Sequence, residues 1–143
     1  MITTTKLKIW TIISHALIVV GFGHGILTLG VVEVFWVPNI AKAGFTFSLN
    51  ASFEARLPMV ALTTLLGQLA IIYSIFNKKL AFHLLGLGFL WLSIIYFNVG
   101  ISTDAYVHFA IWTAVPFFIC TLIVFVTQPL KQLYRWVQND PET

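Results

Sequence analysis

Charge is scarce in this chain. Asp, Glu, Lys and Arg make up 9% of its 143 residues, where soluble domains carry about 25%. The net charge of +3 is small and dispersed, so no nucleic-acid surface is indicated. There is one cysteine, which excludes an internal disulfide. That residue, Cys120, lies deep in an apolar stretch and reads as a small apolar filler rather than a reactive thiol. No residue-level repeat is evident, and no motif identifies a reaction.

What the chain has instead is apolar length. Hydrophobic residues are 59% of it. They gather in four runs, roughly 9–31, 58–77, 80–96 and 105–126. Each approximates the ~20 residues a helix needs to cross a bilayer. The expected fold is therefore an all-α integral membrane protein. It is a single domain, residues 1–143, built as a bundle of four transmembrane helices. A cleaved signal peptide would need a shorter apolar region than 9–31 provides, so that run reads as a retained span.

The basic residues set the orientation. Lys6, Lys8, Lys78, Lys79, Lys131 and Arg135 fall on one side of a four-span bundle, and only Lys42 and Arg56 fall on the other. The positive-inside rule then places both termini in the cytoplasm, as in a bacterial inner membrane or its equivalent. Trp10 and Trp136 mark the inner interface and Trp36 the outer one. After Pro129, Leu130, Leu133, Trp136 and Val137 form one apolar stripe, which predicts a short interfacial helix at the C-terminus. The outer loop, 33–57, is long. Its Phe45, Phe47 and Leu49 alternate with Thr46 and Ser48, the pattern of an extended segment across the outer mouth.

Polar groups inside spanning helices are costly and need a reason. Four histidines fall there: His15, His24, His83 and His108. Two at each depth suggests two haems, but His15 and His24 are nine residues apart and point to opposite faces of one helix. A single haem b between His24 and His108 remains open. His15 and His83 read as neutral side chains bonded to a neighbouring helix or to headgroups. Asp104 and His108 stand one turn apart and share a helical face. Either Asp104 caps that helix, or Asp104, His108 and His24 ligate a metal. Without thiolate, such a set suits Zn, Fe, Cu or Mn. If a reaction occurs, His108 and His24 are its candidate acid–base groups. Around them, Glu33, Arg56, Gln68, Trp91, Asn98 and Trp112 are expected to line a polar, slightly acidic site in the outer half of the bundle.

Four functions remain open. The first is a protein that binds a metal ion or small ligand at that site, as a membrane enzyme or otherwise. The second is an oligomeric transporter or channel component, which needs a polar route inward through His15, Tyr73, Ser74 or His83. The third is an accessory subunit of a membrane complex. The fourth is a single-haem electron carrier. Gly21 and Gly25, as GxxxG, offer a packing surface toward a second copy or another membrane protein, and Gly86 and Gly88 offer a second such surface.

Overall fold

The computed structural model describes residues 4–22, 25–43, 47–48, 52–98 and 105–138. Within them the chain forms α1 (Thr4–Ala16), β1 (Val19–Phe22), β2 (Gly25–Thr28), α2 (Leu29–Ala43), α3 (Phe53–Asn77), α4 (Leu80–Asn98) and α5 (Ala105–Gln138). Three helical segments, Ala55–Asn77, Leu80–Asn98 and Phe109–Thr127, are long and apolar enough to cross a membrane.

These three helices bury apolar residues together with a few polar ones, and the faces they leave exposed are apolar too. On α3 the exposed face carries Leu66, Leu69, Ile72 and Phe76, while Thr63, Thr64 and Ser74 are buried. On α4, Leu84, Leu85, Leu92 and Ile95 face out, and His83 and Ser93 face in. On α5, Ile119, Leu122 and Phe125 face out while Thr121 is buried. Water does not tolerate apolar faces of that extent, and hydrocarbon does.

Several of the inward hydroxyls, though not that of Thr64, bond to carbonyls on their own helices. Thr63 donates to the Met59 and Val60 carbonyls, both at 2.9 Å, and Ser74 to that of Ile71 at 2.6 Å. The tightest helix pair is α3 with α4, which meet at Gly67 and Gly86. A Cβ on Gly86 would lie 2.7 Å from the Gly67 carbonyl oxygen, and one on Gly67 would lie 3.0 Å from that of Gly86. The backbones can approach this closely only because both residues lack side chains.

The run 9–31 is not one helix. It divides into α1, an antiparallel hairpin pairing Val19 with Thr28 and Phe22 with Gly25, and the start of α2. Two local preferences explain the break. Gly21, Gly23 and Gly25 each disfavour helix by about 1 kcal/mol relative to alanine, and Ile18, Val19 and Val20 are β-branched and favour strand. The ends of the excursion close on themselves, with the Leu29 N–H donating to the Ile18 carbonyl at 2.9 Å. The hairpin packs against α5, where the Val19 N–H donates to the Thr113 hydroxyl at 2.9 Å.

Three other expectations differ from the structure. Residues 33–43 of the expected outer loop are helical, as part of α2. Gly21 and Gly25 lie on opposite strands of the hairpin and so share no helical face. The C-terminal segment does not form a separate interfacial helix, because α5 continues unbroken through Pro129 to Gln138. A proline there removes one backbone hydrogen bond, which alone does not end the helix.

Candidate polar site in the helix bundle

Two of the expected ligand-binding residues meet. Gln68, in the middle of α3, donates from Nε2 to Oε1 of Glu33 on α2 at 2.9 Å. Thr64, one turn from Gln68 along α3, is fully buried, and its hydroxyl has no partner among the described residues. The division of the first apolar run sets this pairing. With residues 17–28 used in the hairpin and its ends, Glu33 falls beside the middle of α3 instead of at the outer mouth.

Arg56 belongs to a different place. It lies twelve residues from Gln68 on α3, about 18 Å along the axis. It is buried, with its guanidinium 5.8 Å from the centre of the Tyr96 ring and Nη1 donating to the Tyr96 carbonyl at 3.5 Å. Tyr96 in turn holds the segment after α2. Its hydroxyl donates to the Ser48 carbonyl at 3.1 Å and accepts from the Ser48 N–H at 3.2 Å, and Phe47 stacks on its ring at 4.9 Å. Phe47 is thus placed across that end of the bundle, while Phe45 and Leu49 lie outside the described residues.

The remaining residues scatter. Asn98 donates to the Ile94 carbonyl at 2.8 Å, and its buried Oδ1 has no partner among the described residues. It lines a small cavity of about 20 Å³ with Ile18, Val20, Leu29, Phe97 and Phe118, room for about one water molecule. Trp91 stacks on Phe118 at 5.0 Å in the apolar core. Trp112 is 76% exposed and points away from the bundle. His24 and Asp104 lie outside the described residues, as does the side chain of His108, so the expected metal and haem sites fall there too. Among the described residues no group of three His, Cys, Asp or Glu side chains is placed to hold a metal.

The end of the bundle near Lys8 and Ser74 also buries polar groups. His15 is fully buried, and its Nε2 lies 3.2 Å from the Leu90 carbonyl and 3.1 Å from the Ser93 hydroxyl, so it does bond a neighbouring helix. Lys8 is buried and donates to the Ser74 carbonyl at 2.7 Å, near the end of α3. His83 is 1% exposed, and neither ring nitrogen has a partner among the described residues. Tyr73, by contrast, is exposed and packs on Phe82. The available signal was the spacing of Lys8, Thr11 and His15, which makes one polar stripe on α1.

Comparison with protein-family models, with curated proteins and with solved structures finds no match to this chain.

Proposed function

We propose that the chain is an integral membrane protein with a discontinuous first crossing, which binds a small cationic or hydrogen-bond-donating ligand at Glu33 and Gln68. Three contacts support the crossing. Lys8 reaches Ser74 near the end of α3, Glu33 meets Gln68 in its middle, and Ser48 meets Tyr96, which neighbours Arg56 near the start. The chain from residue 8 to residue 48 thus follows α3 from Ser74 to Arg56. That is about 27 Å at the helical rise, close to the ~30 Å of hydrocarbon. With α3, α4 and α5 this makes four crossings, and both termini share a side. The charges at Lys6, Lys8, Lys78, Lys79, Lys131 and Arg135 assign that side to the cytoplasm.

The observation that carries the binding site is the bond from Gln68 to Glu33. An ionisable group at membrane depth marks a functional site by default, and interrupted helices gather such sites near the midplane. Among the described residues only one carboxylate oxygen is engaged, and the Thr64 hydroxyl stands one turn away. These are oxygen acceptors, suited to a cation or to a donor group.

A hydrophobic carbodiimide, which reacts with carboxyl groups inside membranes, tests this reading. The expected adduct is on the Glu33 peptide by mass spectrometry. It should be absent in Glu33→Gln and formed several-fold more slowly with sodium or an organic ammonium ion present. Adducts confined to Glu54, Asp104, Asp140 and Glu142 would remove the site.

A further inference from the structure

We propose that the seam between α2 and α3 opens sideways into the lipid, and that Glu33 and Gln68 hold there the amine head of a single-chain amphiphile whose tail lies along the exposed flank. This rests on the ligand site proposed at Glu33 and Gln68 and names the class of ligand it takes.

Both residues stand at the edge of their helices' buried faces, and both are half-buried. At about 100° per residue, the neighbours of Gln68 on one side round α3 are the buried Thr64, Gly67 and Ile71. On the other side they are the half-buried Leu65 and the exposed Leu69 and Ile72. Round α2, the buried Leu29 and Val32 lie on one side of Glu33, and the half-buried Val37 and exposed Val34 on the other. The chain runs from Lys8 beside Ser74 to Ser48 beside Tyr96, so α2 is antiparallel to α3. In an antiparallel pair of right-handed helices, these two exposed arcs fall on the same flank of the seam. The opposite flank of α3 is closed, since Gly67 packs on Gly86 of α4. Glu33 is thus reached past Val34, Val37, Leu65, Leu69 and Ile72, none of which is polar.

That approach selects the ligand. A polar solute arriving by this flank must leave water and cross hydrocarbon, which is costly. A long-chain amine is already dissolved in the bilayer, and its uncharged form moves through hydrocarbon. The Glu33 carboxyl has the Gln68 amide as its partner and no Lys, Arg or His beside it among the described residues. Amine and carboxyl hold one shared proton between them, so the pair is neutral as a whole and needs no further counter-ion. The Gln68 Oε1 is left over by the bond from Nε2 and accepts a second N–H of the amine. The tail then covers Val34, Leu69 and Ile72, as a lipid chain would, with its head fixed.

Photochemical crosslinking of the full chain in phosphatidylcholine vesicles tests this, with dodecylamine carrying a diazirine midway along its chain. Crosslinked peptides should come from residues 34–37 and 65–72. In Glu33→Gln, crosslinking there should fall about tenfold, as for loss of one charge-assisted hydrogen bond. In wild type, plain dodecylamine should compete about tenfold better than methylamine, which lacks the tail, or dodecanol, which lacks the amine. Crosslinks spread over the exposed residues of α3, α4 and α5, and unchanged in Glu33→Gln, would overturn the proposal. Equal competition by methylamine would keep the ligand site and overturn its opening to lipid. Equal competition by dodecanol would overturn the amine. A Glu33 that the carbodiimide does not reach removes the site itself, and the amphiphile with it. The competitions in wild type decide alone if Glu33→Gln does not fold.

Discussion

Gly86→Ala is expected to destabilise the bundle by about 3 kcal/mol, the upper range for overpacking. The added methyl would lie 2.7 Å from the Gly67 carbonyl oxygen, 2.6 Å from a side-chain carbon of Ile71 and 3.0 Å from the Ile71 nitrogen. Two of these three atoms are backbone, so α3 and α4 must separate to admit it. Gly88, two residues on, provides the control. Nothing lies within 4 Å of its Cβ position, so Gly88→Ala should be neutral, or stabilising by up to about 1 kcal/mol through helix propensity. Denaturant titration in mixed micelles, followed by circular dichroism, distinguishes them. Equal effects at the two positions would mean that α3 and α4 do not meet at Gly86.

Gln68→Leu should cost about 2 kcal/mol, because it leaves the Glu33 carboxyl without its donor inside the bundle. Glu33→Gln should cost less, since the amide oxygen still accepts from Gln68. The double change Glu33→Leu with Gln68→Leu should recover most of the loss, because both polar partners go together. The same micelle titration measures all three. Strict additivity in the double variant would show that the two residues do not interact.

Much of the fold was legible as apolar length. The runs 58–77, 80–96 and 105–126 coincide with long helices, because an uninterrupted apolar run of about 20 residues has few alternatives to a helix in hydrocarbon. The run 9–31 is equally apolar, and hydropathy does not report a break. The break was written in Ile18, Val19 and Val20 followed by Gly21, Gly23 and Gly25, a pattern also consistent with a close helix–helix surface.

Glu33 and Gln68 were recognisable as candidates, yet their pairing was not. Counting depth along a continuous helix puts Glu33 at the outer mouth, and only the hairpin brings it beside Gln68. Trp112 shows a second limit. Its place within the fourth apolar run was legible, but rotation about the α5 axis decides whether it lines the interior, and it faces outward. Gly67 went unremarked because its importance arises only from Gly86 on the facing helix.

In the topology proposed above, the chain crosses the membrane between α1 and the segment that follows α2, despite the interruption. Lys6 and Ser48 are both exposed and flank that crossing. With Cys120, the one native cysteine, replaced by alanine, a single cysteine can be placed at Lys6, Ser48 or Lys78. A membrane-impermeant thiol reagent applied to intact cells and to inverted vesicles should modify Ser48→Cys from one side, and Lys6→Cys and Lys78→Cys from the other. Modification of Lys6→Cys and Ser48→Cys from the same side would contradict the discontinuous crossing and, with it, the placement of Glu33 within the membrane.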